Sequence, residues 1–214
     1  MKTTFNILLI CFTLLTDSVF SQTDSDFIVK KEFTELSEAL KKPENVIKLD
    51  LSNQNLDINT TDWSRFVNLE YLNLKNDHLK EIPIGITLLK SLKVLDLSGN
   101  DFKTLPYQFE NLVNLEEVYL NSEKNMDLPK TLAILSKLPK LKSLHLEDDN
   151  IKILPSEILS FKNLENLYLN HNKLRKIPEI STLDHLKYLD LNGNKIKPES
   201  LDLRNLNFGF EIKF

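Results

Sequence analysis

The stretch LENLYLNHNKL, residues 164–174, sets Leu164, Leu167, Leu169 and Leu174 in a frame and fills the gaps with Asn166, Tyr168, Asn170 and His171. The same register recurs as VIKLDLSNQNL from Val46, LEYLNLKNDHL from Leu69, LKVLDLSGNDF from Leu92, LEEVYLNSEKN from Leu115, LKSLHLEDDNI from Leu141 and LKYLDLNGNKI from Leu186. Seven copies begin at intervals of 23, 23, 23, 26, 23 and 22 residues, and self-similarity at such a period marks a solenoid. Pro83, Pro106, Pro129, Pro155 and Pro178 all fall at repeat position 15, each after Ile or Leu. Chance does not align five of eight prolines in this way.

Within each unit the apolar residues at positions 4 and 6 alternate with polar residues at 3, 5 and 7, the signature of a strand with one buried face. Positions 11 and 14, with later apolar residues such as Ile158 and Phe161, complete the core from the returning side. The proline suits a turn or the first position of a short helical segment. One unit cannot bury its apolar face alone, so stacked neighbours form a continuous core under a parallel sheet.

The pattern L-x-x-L-x-L-x-x-N-x-L, followed by x-x-(I/L)-P, runs over residues 46–200 and resembles the leucine-rich repeat proteins, in particular a short secreted bacterial type with 23-residue repeats. The resemblance implies an α/β fold, a right-handed horseshoe solenoid with a concave parallel β-sheet. In that family the position 9 asparagine bonds backbone groups of the loop. Here Asn100, Asn172 and Asn194 fit, while Gln54, Asp77, Glu123 and Asp149 depart. A carboxylate accepts hydrogen bonds but donates none, which argues against a complete asparagine ladder. Repeat 4 departs further, with Asn125 at an apolar position and three extra residues after Pro129, and KTLAILSKLPK is expected to bulge as a longer helix on the convex side.

Four segments follow. Residues 1–21 read as a secretory signal peptide: Lys2, an apolar run from Ile7 to Leu15, and Val19 and Ser21 placed for cleavage before Gln22. The run is well short of the roughly 20 residues that a transmembrane helix needs. The expected location is therefore secreted or periplasmic, with no transmembrane segment in the mature chain. Cleavage would remove Lys2, Asp17 and the single cysteine, leaving 26 basic and 30 acidic residues and neither a disulfide nor thiol chemistry. Residues 22–45 form an N-terminal linker and capping helix, in which Val29, Phe33, Leu36 and Leu40 share one face up to Pro43. Residues 46–200 are the seven repeats, and residues 201–214 are a C-terminal cap in which Phe208, Phe210, Ile212 and Phe214 alternate as a closing strand.

Stacking turns each repeat position into a column on the exposed face. Position 5 gives Asp50, Asn73, Asp96, Tyr119, His145, Tyr168 and Asp190, and position 3 gives Lys48, Tyr71, Val94, Glu117, Ser143, Asn166 and Tyr188. Tyr119, His145 and Tyr168 are consecutive in one column and Tyr188 is diagonal to Tyr168, with Asp96, Glu117, Glu147, Asp148 and Asp190 around them. The candidate ligand-binding residues are thus Tyr119, His145, Tyr168, Tyr188, Asp96, Glu117, Glu147 and Asp190. Tyrosine is enriched at interface hot spots. The plainer reading is that tyrosine is favoured on any strand with cross-strand neighbours to pack against.

Over columns 3, 5, 7 and 8, Lys48 and Lys75 oppose six acids, so the face is acidic and favours a partner offering Lys or Arg. The plainer reading is a solvated, solubilising surface. A mildly acidic chain without a Lys/Arg run argues against nucleic acid. His145 and His171 stand three positions apart along the strand direction, roughly 10 Å, too far to share a zinc ion. Glu123, Glu147, Asp148 and Asp149 could hold calcium through oxygen ligands, or form a solvated loop. The sequence holds no G-x-S-x-G, H-E-x-x-H or G-x-x-x-x-G-K. The expectation is a non-enzymatic module without metal or cofactor that recognises a protein or peptide. The alternative is carbohydrate or cell-wall recognition by stacking on Tyr119, Tyr168 and Tyr188.

Overall fold

The computed structural model describes residues 31–180, 182–197 and 209–214. The expected signal peptide, Val29 and Phe208 lie outside these residues. Nine short strands form one parallel sheet in chain order: β1 (Glu32–Phe33), β2 (Lys48–Asp50), β3 (Tyr71–Asn73), β4 (Val94–Asp96), β5 (Glu117–Tyr119), β6 (Ser143–His145), β7 (Asn166–Tyr168), β8 (Tyr188–Asp190) and β9 (Glu211–Lys213).

Repeat positions 3, 4 and 5 pair with their equivalents throughout, for example Glu117 with Ser143, Val118 with Leu144 and Tyr119 with His145. Position 4 supplies one inward column, Leu49, Leu72, Leu95, Val118, Leu144, Leu167 and Leu189, every member of it fully buried. Residues 3 and 5 point the other way because side chains alternate across a strand.

The chain returns through tight turns. Short 3-10 helices cover Trp63–Arg65, Ile84–Leu88, Tyr107–Asn111 and Ser156–Ser160. Pro83, Pro106 and Pro155 cap the last three of these, where a missing N–H costs nothing. The 26-residue repeat holds the longer helix, which follows a four-residue helix α1 (Leu36–Ala39) as α2 (Leu128–Leu135). It starts two residues before the expected segment. The Asp127 side chain accepts from the N–H of Lys130 at its N-terminus, and Met126 packs against the core beside the polar Asn125.

Beyond the strands, position 8 is left-handed in all seven repeats: Asn53, Asn76, Gly99, Ser122, Asp148, His171 and Gly193 have φ between 56° and 70°. These residues make the turn that ends each strand, and are not part of the sheet surface. Two bonding ladders tie the repeats together. At position 9 a side-chain oxygen accepts the N–H of position 9 in the preceding repeat, running from Asp77 to Asn172 without a break. Just before the strands, Asn68, Ser91, Asn114 and Asn163 donate to the carbonyls of Glu44, Val67, Lys90 and Pro139. The second ladder has no counterpart in the sequence reading.

The N-terminal end corrects that reading. Phe33 belongs to β1, paired with Leu49, and among the described residues of this segment the α-helix is confined to Leu36–Ala39, with a 3-10 turn at Pro43–Asn45. A helix cannot satisfy the open N–H and C=O groups along the edge of β2, whereas a strand can. At the other end Ile212 pairs with Leu189 and packs on the core, with Phe210 beside it, as the alternation predicts.

Candidate functional site

Column 5 does two different jobs. In repeats 1, 2, 3 and 7 it holds Asp50, Asn73, Asp96 and Asp190, whose Oδ1 atoms accept the N–H two residues on, at 2.8–3.0 Å. Each of these side chains caps its own turn. In repeats 4–6 the caps give way to rings, and in repeats 4 and 5 the turn is held from the preceding repeat instead. Asn121 N–H donates to Ser98 Oγ and Glu147 N–H to Asn121 Oδ1. The local cap has been replaced by something that needs three adjacent repeats.

That replacement is a ring stack. His145 lies between Tyr119, at 3.9 Å and 16° from parallel, and Tyr168, at 4.0 Å and 6°. Tyr188 continues the row at 5.4 Å from Tyr168, tilted by 49°. Neighbouring strands lie about 4.8 Å apart, so rings on successive strands meet face to face and turn their edges toward solvent.

Both imidazole nitrogens meet carboxylates: Nε2 is 2.9 Å from Glu117 Oε1, and Nδ1 is 3.6 Å from Glu147 Oε2. The Tyr119 hydroxyl also donates to Glu117 Oε1, and Asn121 Nδ2 to Glu147 Oε2. Burial by itself would lower the His145 pKa, since its residue is only 7 % exposed, but the bonds to Glu117 and Glu147 carry it above the ordinary value. The same bonds hold Glu117 and Glu147 below theirs. Burial, with the Glu117 carboxylate beside it, raises the Tyr119 hydroxyl. The arrangement is an imidazole held between two carboxylates inside an aromatic stack, and both carboxylates favour its protonated form.

The structure thus brings Tyr119, His145, Tyr168, Tyr188, Glu117 and Glu147 into one cluster. Asp96 and Asp190 border it but serve as turn caps, and Asp190 also accepts from the Tyr188 hydroxyl. Neither is a free carboxylate on the face. Asn121 is a member that sequence columns missed, because its partners lie on the next repeat.

The acidic group considered for calcium is dispersed: Glu147 faces His145, Asp148 faces His171 at 3.8 Å, and Glu123 and Asp149 each accept a ladder N–H. Among the described residues no group of three or more His, Cys, Asp or Glu side chains is placed to hold a metal ion.

A leucine-rich repeat region model matches residues 36–138, and a leucine rich repeat model matches residues 137–196. The chain is 34 % identical over 102 residues to the volume-regulated anion channel subunit LRRC8A of Homo sapiens, covering 47 % of this chain and 13 % of that protein. It is 43 % identical over 56 residues to a probable disease resistance protein of Arabidopsis thaliana, covering 25 % of this chain and 6 % of the other. The chain thus spans a small part of these relatives.

Among solved structures, a leucine-rich repeat protein of Leptospira interrogans superposes with a TM-score of 0.55 at 27 % identity, over 78 % of this chain and 54 % of that one. The mouse RP105/MD-1 complex gives 0.56 at 27 %, over 71 % and 26 %. The TLR13-ssRNA13 complex gives 0.57 at 22 %, over 79 % and 30 %, a likeness of fold alone. With its repeats matched from residue 36 to residue 196 and its strands in a single register, the chain belongs to the leucine-rich repeat proteins, a fold that generally serves as a non-catalytic protein-binding scaffold.

Proposed function

We propose that this chain is an exported, non-enzymatic binding module that takes a protein or peptide segment carrying Lys or Arg on repeats 4–7 of its sheet. The observation that carries the reading is the stack of Tyr119, His145, Tyr168 and Tyr188 with Glu117 and Glu147 at its edge. Aromatic edges held rigid by their neighbours offer contact area with little ordering cost, and the two carboxylates outnumber the single imidazole between them. Export rests on the N-terminal residues, Lys2 and the apolar run up to Leu15.

Sugar recognition loses ground, because stacking on a sugar needs open ring faces and His145 covers one face each of Tyr119 and Tyr168. The test is a paired peptide and glycan array probed with the full chain at two salt concentrations. Retention of Lys/Arg-bearing peptides, weakened by salt and reduced by at least about 30-fold on Glu117→Gln with Tyr188→Ala, the hot-spot scale, supports the reading. Salt-insensitive retention of glycans, or peptide binding lost only on changing Lys48, Asp50 and Tyr71, overturns it.

A further inference from the structure

The ladder at position 9 is complete in repeat 3 and again in repeat 6. Asn100 Oδ1 accepts from the N–H groups of Asp77 (3.1 Å) and Leu79 (2.9 Å), and its Nδ2 donates to the carbonyls of Leu74 (2.8 Å) and Leu97 (2.7 Å). Asn172 does the same with Asp149 (3.1 Å), Ile151 (2.9 Å), Leu146 (2.6 Å) and Leu169 (3.0 Å). Each amide therefore donates to position 6 of its own repeat and of the one before.

Between them stand Glu123 and Asp149. They keep the position 9 acceptance, Glu123 Oε1 taking the Asn100 N–H at 2.7 Å and Asp149 Oδ1 the Glu123 N–H at 2.6 Å. The donating half is missing. Glu123 Oε2 and Asp149 Oδ2 are both buried without a hydrogen-bond partner, and Glu123 as a whole is 3 % exposed. By the rule of the asparagines, both residues would reach the Leu120 carbonyl, and that carbonyl accepts no hydrogen bond among the described residues.

An orphaned carboxylate oxygen at such a place costs its full desolvation. The charged groups facing the pair make ionisation worse: Asp96 and Asp101 from repeat 3, and Glu147 and Asp148 from repeat 5, are all acids. A neutral carboxyl removes both problems, because it has a C=O that accepts and an O–H that donates. We propose that Glu123 and Asp149 are carried as neutral carboxylic acids in the folded protein, each O–H replacing an asparagine N–H at the Leu120 carbonyl, so that the joint between repeats 4 and 5 holds hydrogen bonds that a rise in pH removes. A calcium ion fits less well, since it takes roughly six to eight oxygens and the slot offers two side-chain oxygens and one carbonyl.

The electrostatics agree with the geometry. Burial, opposed by the Asn100 N–H at Glu123 and by the Glu123 and Ser122 N–H groups at Asp149, pushes Glu123 up to about 8 and Asp149 up to about 7. For acids whose folded pKa is raised, the stabilisation is fully present below the ordinary carboxyl range and is lost as pH climbs through the folded values. The joint therefore weakens from mild acid to mild alkali, opposite to a surface carboxylate paired with a lysine.

The experiment is a carboxyl-carbon NMR titration of the full chain, with melting temperatures from pH 5 to 9 for the unmodified chain and for Glu123→Gln with Asp149→Asn. Carboxyl midpoints near neutrality at both residues are expected, together with a melting temperature that falls more steeply with pH in the unmodified chain than in the double variant. His145 is present in both proteins, so its own pH dependence cancels in the difference. Midpoints near the ordinary value of about 4 overturn the proposal even if the variants fail to fold. So do equal pH slopes, or a calcium-dependent rise in melting temperature at pH 8 that the double variant lacks.

Discussion

The ring of His145 lies 4.0 Å from that of Tyr168 and 6° from parallel to it, with Tyr119 stacked on its other face. Tyr168 is therefore held by its neighbours and half-buried, and substitutions along this row should change folding together with the proposed recognition.

Tyr168→Ala removes contacts to two rings and Tyr188→Ala to one, and a favourable aromatic pair contributes about 0.5–1.5 kcal/mol beyond its buried area. Urea denaturation should show Tyr168→Ala as the more destabilising by about 1 kcal/mol, on the same scale. Tyr119→Phe, which loses the bond to Glu117, should cost more than Tyr168→Phe. Equal effects across the row would mean the stack contributes nothing.

His145 should titrate above its ordinary value, and imidazole NMR shifts would show it. Its stabilisation is complete below the ordinary histidine pKa of about 6.5 and fades as pH rises through the raised folded value. Glu117 and Glu147 are lowered, so theirs is present above the ordinary range and fades in acid. The clamp is strongest between these limits. A cationic partner should bind more tightly as pH rises and the imidazolium discharges; a midpoint below the ordinary value would contradict the clamp.

Leu167→Ala should cost roughly 2–5 kcal/mol, the range for emptying a core leucine site, since Leu167 is fully buried. Asn166→Ala gives up one side-chain bond, to Ser143 Oγ, and should fall within about 0.5 kcal/mol of neutral. Comparable losses at both would place the register wrongly.

Asn100→Asp keeps the accepting oxygen and loses both donations, leaving the Leu74 and Leu97 carbonyls without the Nδ2 bonds they now receive. Each buried group left unpaired costs about 1–3 kcal/mol. Chemical denaturation should show a clear loss near pH 8 that shrinks in acid as the new carboxyl protonates. A pH-independent loss would mean the position 9 side chain matters only for its shape.

The strand register was readable residue by residue, because buried leucines at positions 4 and 6 tolerate no slip: Leu167 faces the core only if Asn166 and Tyr168 do not. The run of Tyr119, His145 and Tyr168 was legible for the same reason. What the clamp does to His145 was not, since Glu117 and Glu147 approach from different repeats and different positions. Asp96 and Asp190 look like free acids in a column, and only backbone geometry shows them closing turns. Position 8 carried an overlooked signal: Asn53, Asn76, Gly99, Ser122, Asp148, His171 and Gly193 include the residues that best tolerate positive φ. The N-terminal helix misled because Phe33, Leu36 and Leu40 fit a helical period while the edge of β2 demanded a strand.

Both ladders cross from one repeat to the next at fixed positions, and this makes the repeats interchangeable parts. Removing residues 69–91 would bring Asn100 opposite Gln54, whose N–H already seeks an oxygen at that place from Asp77, and would leave Asn114 to find Val67 where Ser91 found it. Repeat 4 cannot be exchanged so freely, because its 26 residues and the longer helix α2 break the common 23-residue step, and its Tyr119 stacks on His145 of the next repeat. A lineage could thus lengthen or shorten this chain through repeats 2 and 3 in single steps of 23 residues, while the stretch bearing the ring stack travels only as a block.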